Sequence, residues 1–166
     1  MAEVRLIEVT PAHLEALLRS RTALAEALDT PVPDGWPEFP EAIDFTLGVL
    51  QKHPEQHAWW MHFFLDAESG ALVGSGGFAG PPVDRTVEIG YEIAPGFRRR
   101  GYASAAVRAL VAKARRTGVV DRVIAHTLPA DPASAGVLRI AGFEYAGEVA
   151  DPEQGAVAEW AFSLQE

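Results

Sequence analysis

The stretch TVEIGYEIAPGFRRRGYASAAVRAL, Thr86 to Leu110, restricts the fold more than any other part of the chain. Its first nine residues alternate apolar and polar side chains, the period of a strand with one buried face. From Gly101 the spacing becomes helical, with Ala103, Val107, Leu110, Val111 and Ala114 on one side and an end at Thr117. Gly118 supplies the stop, and Lys113, Arg115 and Arg116 lie near the negative end of the helix dipole. The turn between strand and helix carries three consecutive arginines. The first turn of a helix leaves N–H groups without internal partners, and with the dipole these attract anions. Gly101 admits phosphate oxygens to the backbone, Ala103 keeps the next turn slim, and Arg98, Arg99 and Arg100 add charge. By itself the turn suits a phosphate-bearing ligand at Arg98 to Ala103; it also suits a solvated basic surface. It is neither G-x-x-x-x-G-K-S/T nor G-x-G-x-x-G, which argues against a kinase or a dinucleotide enzyme.

The other segments supply the partners of this unit. Val4 to Thr10 alternates as a first strand, and Thr10 caps a helix that Pro11 opens and that buries Leu14, Leu17, Leu18 and Leu28. Pro31, Pro33, Pro37 and Pro40 enforce a loop, followed by a short helix over Glu41 to Gln51. AWWMHFFL, Ala58 to Leu65, and ALVGSGGFAG form a hairpin, and Gly74, Gly76 and Gly77 imply a bulge or a close backbone approach. RVIAHTL is the next strand. Asp131 caps a last helix with Pro132 at its first position, and FEYAGEV and VAEWAFSL close the chain as a hairpin. Trp160, Phe162 and Leu164 alternate on one side of that hairpin, as core or as a dimer contact. The order β-α-α-β-β-β-α-β-α-β-β describes an α+β (mixed α/β) fold, a central sheet of about seven strands flanked by four helices.

At 166 residues the chain suits a single domain, residues 1–166. A net charge of −9 argues against a nucleic-acid partner and leaves room for a cationic substrate, though it also serves solubility. There is no cysteine, hence neither disulfide nor thiol nucleophile, and no apolar run of bilayer length. The start MAEVRLIEVT lacks the character of a signal peptide, so a cytoplasmic location and no membrane association are expected. The five histidines make no metal set: His53 and His57 are separated by Pro54, and His62 and His126 fall on strands.

RRRGYA resembles the Q/R-x-x-G-x-G/A signature of the GNAT superfamily of acetyltransferases. VEIGYEIAPGF and DPASAGVLRIAGFEYAGE resemble its ribosomal-protein alanine N-acetyltransferase branch, whose members show a strand ending in Gly-Tyr, the glycine turn, then Asn-x-x-Ser and a Gly-Phe pair. The match is strongest from Thr86 to Glu148. It implies a mostly antiparallel mixed sheet and acetyl-coenzyme A as co-substrate, without a metal. The diphosphate would rest on the backbone of Arg98, Arg99, Arg100, Gly101, Tyr102 and Ala103. The pantetheine arm would pair with the backbone near Ile93 and Ala94, where two strands splay apart. Asp131 and Ser134 would border the cofactor, Asp131 standing where the branch has Asn and offering only acceptors when ionised. The tyrosine that many members carry in this helix is replaced by Leu138.

Acetyl transfer requires a neutral amine. Deprotonating a lysine-like amine at pH 7 costs about 4.6 kcal/mol and an α-amine about 1 kcal/mol, so a base matters more for the former. Glu88 and Glu92 share one face of the central strand, where burial would raise their pKa and make them better bases. The family often places its base in this strand, at the position of Glu88, so Glu88 ranks first and Glu92 second. Ser134 falls where related enzymes carry a serine close to the sulfur, to assist the departing thiolate or simply to start a helix. Trp36 lies in the loop that borders the acceptor pocket in this family, and His126 on a strand near its cleft. The expected function is N-acetylation of a primary amine, on a protein N-terminus or a small molecule such as an amino acid, polyamine or antibiotic, by a monomer or homodimer. The alternative is a non-catalytic acyl-coenzyme A sensor.

Overall fold

The computed structural model describes residues 1–165. Strand β1 (Val4–Glu8) leads into helices α1 (Pro11–Arg19), α2 (Arg21–Leu28) and α3 (Glu41–Lys52). Strands β2 (Met61–Asp66), β3 (Leu72–Phe78) and β4 (Thr86–Ile93) follow, then α4 (Tyr102–Thr117), β5 (Arg122–Thr127), α5 (Pro132–Ile140), β6 (Glu144–Asp151) and β7 (Gly155–Ser163). The seven strands form one sheet in the order β1-β2-β3-β4-β5-β7-β6. Every neighbouring pair is antiparallel except β4 and β5, which run parallel and pair only from Thr86↔Arg122 to Ile89↔Ala125.

There are five α-helices rather than the expected four. The first is interrupted at Ser20, whose extended backbone (φ −172°, ψ 156°) breaks it and whose Oγ accepts the Ala23 N–H at 3.0 Å to start the second. Serine competes with helix hydrogen bonding in this way, and a regular leucine spacing conceals it. The break also turns Leu18 outward, 51% exposed instead of buried, while Leu14 and Leu24 have no exposed surface. Thr10 and Pro11 open α1 as expected: Thr10 Oγ1 accepts the His13 N–H at 3.2 Å and His13 Nδ1 accepts the Thr10 N–H at 3.1 Å. The strand expected from Ala58 starts at Met61, because Pro54–Trp59 winds into 3₁₀ turns first.

Two cores sandwich the sheet. Ala106, Val107, Leu110, Val111 and Ala114 of α4 and Leu138 of α5 pack on Phe64, Val87, Ile89, Val123 and Trp160. Phe162 and Leu164 lie against the same core, as the closing stripe leads one to expect. On the other face α1, α2 and α3 cover Phe63, Leu65 and Leu72. No residue of β4, β5, β6 or β7 joins that second core, which within the sheet ends at β3. Burying each large side chain here contributes about 1.5–3 kcal/mol. The glycines of β3 allow the close approach their sequence suggests: a Cβ on Gly76 would stand 2.3 Å from the Gly90 carbonyl oxygen, and one on Gly77 1.9 Å from that of Trp60. A register shift between Phe64 and Leu65 marks the expected irregularity in the β2–β3 pair. No helix among the described residues is long and apolar enough to cross a membrane.

Candidate active site

The parallel pair β4–β5 creates the site by coming apart. In the β3–β4 ladder, Ala79 N–H bonds to Glu88 O and Ala94 N–H to Val73 O, at 2.9 and 2.8 Å. Even-numbered residues of β4 therefore spend their main-chain groups on β3, and odd-numbered ones turn toward β5. Beyond Ile89 no β5 rung receives them, so the peptide groups of Tyr91 and Ile93 face a gap. Of these, the Ile93 carbonyl accepts Arg98 Nε at 3.0 Å. Of the two residues named from the sequence for the pantetheine arm, Ile93 turns its main chain to the gap, whereas Ala94 turns its N–H to β3; Tyr91, not singled out from sequence, faces the gap beside Ile93.

The gap points at the start of α4. Gly101, with φ +86°, leads the helix, and no side chain caps the N–H groups of its first turn; the first internal bond is Ala105 N–H to Gly101 O at 3.1 Å. Arg99 also has positive φ, +64°, so the turn is bent into a shallow nest of N–H groups. The three arginines are not equivalent. Arg98 folds back onto Ile93 and toward Glu38, its Nη2 3.7 Å from Glu38 Oε2. Arg100 lies over the Phe97 ring, 5.5 Å from its centroid. All three are exposed, as is Gly101, while Tyr102 and Ala103 are half-buried. A chain of diphosphate charge fits this corner by its uncapped donors, its arginines and the room left at Gly101, whose Cβ would meet only Ala2 at 3.7 Å.

On the opposite face of β4 lies a cavity of about 330 Å³. Glu88, Gly90 and Glu92 of β4 form one wall, Phe39, Ile43 and Thr46 another, and Trp60 and Met61 a third. Glu92 is half-buried and its pKa is raised: burial dominates, and the nearby Glu38 charge adds to it. Its Oε1 accepts the Glu38 N–H at 3.1 Å. Glu88 differs. Its Oε2 is 3.2 Å from His126 Nδ1, and His126 Nε2 is 3.2 Å from Glu159 Oε1. Burial opposes a charge on His126, but Glu88 and Glu159 together outweigh it and raise its pKa. Trp36 does not line the cavity; it is buried beneath, its Nε1 donating to Ser75 Oγ at 2.8 Å. Phe39, which lines the cavity, is 56% exposed.

Across β4, the start of α5 is held by Asp131, which accepts the Ser134 N–H at 3.1 Å and the Ser134 hydroxyl at 2.6 Å. Leu138 is fully buried in the core. Among the described residues no group of three or more His, Cys, Asp or Glu is arranged to hold a metal ion.

A sheet split at one parallel pair, with an uncapped, glycine-led helix beyond the split, offers main-chain donors and acceptors to a long anionic co-substrate. The family model described as the acetyltransferase (GNAT) domain matches residues 3–144, and the chain belongs to that family. The protein is an acetyltransferase that uses acetyl-coenzyme A to acetylate an amine. Comparison with curated proteins gives no match. Among solved structures, the ribosomal L7/L12 α-N-protein acetyltransferase RimL in complex with coenzyme A is 20% identical with a TM-score of 0.71, over 97% of this chain and 94% of that one. The dodecameric spermidine N-acetyltransferase of Vibrio cholerae is 16% identical with a TM-score of 0.70, over 98% and 94%. A GNAT-family acetyltransferase of Bacillus anthracis is 20% identical with a TM-score of 0.67, over 100% and 98%. At these identities the likeness concerns the fold.

Proposed function

We propose that the protein N-acetylates a small primary amine with an apolar or aromatic body, and that Glu92 is the base. The observation that carries this is the cavity itself: one wall holds a half-buried carboxylate of raised pKa, and the others are mostly apolar. No lysine or arginine lines it, so nothing there would recognise the carboxylate of a free amino acid. Its volume falls in the range of small-molecule sites.

The N–H groups at the start of α4, with Arg99 and Arg100 nearby, hold the diphosphate. The outward-facing main chain of Tyr91 and Ile93 pairs with the pantetheine amides; Arg98 releases the Ile93 carbonyl when it does so. The thioester then lies at the split, between the cavity and the start of α5. Aromatic rings of Phe39 and Trp60 enclose the body of the amine, and the ammonium end points to Glu92 and Glu88. Glu92 removes one proton, and the neutral nitrogen attacks the thioester carbonyl. Ser134 is engaged by Asp131, which makes it a positioning group at the split. A general base in such a position contributes about 10²- to 10⁴-fold. Family membership and the retained carboxylates favour this enzyme over an acyl-coenzyme A sensor.

The test is thiol release from acetyl-coenzyme A across three amine sets: aralkyl and branched alkyl amines, polyamines, and short peptides with free amino termini. The first set is expected to turn over fastest. Faster turnover of polyamines or peptides would overturn the acceptor assignment, and coenzyme A binding without release by any amine would support the sensor.

A further inference from the structure

Among the described residues, the one buried side-chain polar atom without a hydrogen-bond partner is the Tyr91 hydroxyl. An unmade bond on a buried hydroxyl costs about 1–3 kcal/mol, so its persistence calls for a reason. Tyr91 packs on the α4–α5 side of β4, with Ser134 and Asp131 close to its hydroxyl: Ser134 is near enough to lower the phenol's pKa, but not in hydrogen-bond geometry. Its own peptide group faces the gap between β4 and β5. The hydroxyl is therefore sealed in the fold beside the place where the thioester arrives, on the side away from the amine cavity.

The other hydroxyl at this place is committed. Ser134 Oγ donates its single proton to Asp131 Oδ2 at 2.6 Å, a short, charge-assisted bond that leaves Ser134 an acceptor only. One turn further along α5 stands Leu138, which has no donor. We infer that Tyr91 supplies the hydrogen bond that stabilises the departing thiolate, with Asp131 and Ser134 positioning it. This rests on the placement of acetyl-coenzyme A argued above. As the N–C bond forms, the C–S bond breaks and its electron pair moves onto sulfur. Glu92 passes the ammonium proton to solvent before attack and takes the second nitrogen proton as the amide forms, and the sulfur takes a proton from solvent. Tyr91 gives a hydrogen bond and keeps its proton: burial outweighs the lowering effect of nearby Ser134 and, with the Asp131 charge adding, pushes the phenol up to about 12, far above an ordinary thiol near ~8.5.

The test compares wild type with Tyr91→Phe and Ser134→Ala. The thiol of bound coenzyme A is titrated by thiolate absorbance, beside kcat, the dissociation constant of coenzyme A and the melting temperature. In Tyr91→Phe, kcat and the thiolate fraction at a given pH are expected to fall about 10- to 100-fold, the size of one hydrogen bond to a charged group. Coenzyme A affinity is expected to change less than threefold, and melting temperature to hold or rise, since no bond is lost in the resting protein. Ser134→Ala is expected to lower the thiolate fraction less. Equal thiolate fractions and kcat within twofold in Tyr91→Phe would overturn the inference, as would a loss confined to Ser134→Ala. Failure of coenzyme A to bind the wild type would instead overturn the placement on which it rests.

Discussion

Glu88 and His126 meet across the parallel strands β4 and β5, Oε2 to Nδ1 at 3.2 Å, just where the strands stop pairing. The contact separates two carboxylates that the sequence treats as equivalent. Glu88 is spent on an imidazole that Glu159 grips from the other side, whereas Glu92 keeps one oxygen for the cavity. Glu88→Gln is expected to lower kcat/KM less than about tenfold and Glu92→Gln more than about 100-fold. An NMR titration supplies an independent check: with Glu88 gone, burial should win and His126 should titrate at lower pH than in wild type.

The pH profile follows from Glu92. Its folded pKa lies above the ordinary 4.5, so the acid limb of kcat/KM is expected above pH 4.5 and should vanish in Glu92→Gln. The same shift carries a stability sign. A carboxylate whose pKa is raised by folding favours the native state below its unfolded pKa and loses that favour as pH rises through the folded value. At pH 7 the charge is thus a burden, and Glu92→Gln is expected to match or exceed wild type in urea midpoint while losing activity.

Gly101 tests the anion corner. With φ +86° and no neighbour closer than 3.7 Å to a Cβ, the position objects to side chains through its backbone rather than through a clash. Asparagine tolerates this conformation better than most residues, and Asp adds a charge. Gly101→Asn is expected to weaken coenzyme A binding about tenfold and Gly101→Asp at least about 100-fold, measured by calorimetry. Equal affinity for Gly101→Asp and wild type would mean the diphosphate sits elsewhere.

His62 predicts an acid-labile step unrelated to catalysis. It is fully buried, Nδ1 bonds to the Trp60 carbonyl at 2.9 Å, and Nε2 stands 2.6 Å from Lys113 Nζ, which also meets Glu8 at 2.5 Å. Burial first, then the Lys113 charge, lowers its pKa to about 4. A depressed pKa contributes stability above the unfolded value near 6.5 and loses it as pH falls. Urea unfolding is expected to show a loss of roughly 3 kcal/mol between pH 6.5 and 4. In His62→Gln the starting stability should be lower and this pH-dependent loss smaller.

Much of the fold was legible because its cues are local. Thr10–Pro11 and Asp131–Pro132 start helices through their own side chains and rings, and Gly118 ends one through its φ of +72°. The break at Ser20 escaped because a leucine repeat continues across it. In the site, the turn at Gly101 was read from its residue order. The separation of Glu88 from Glu92 and the covered Trp36 were not, since each depends on a partner far along the chain, His126 and Ser75; nor was the folded-back Arg98, whose choice of the Ile93 carbonyl is set by the path of the turn.

The sequence by itself determined the order of elements, the alternation that puts Glu88 and Glu92 on one face of β4 and Tyr91 on the other, and the uncapped helix start that follows. These depend on backbone periodicity and on groups a few residues apart. Only the tertiary structure decided which carboxylate is paired, which arginine is occupied, and that the Tyr91 hydroxyl is left without a partner beside a serine whose proton Asp131 already holds. Ion pairing and desolvation act through space, and the residues that supply them are brought together only when the sheet is assembled.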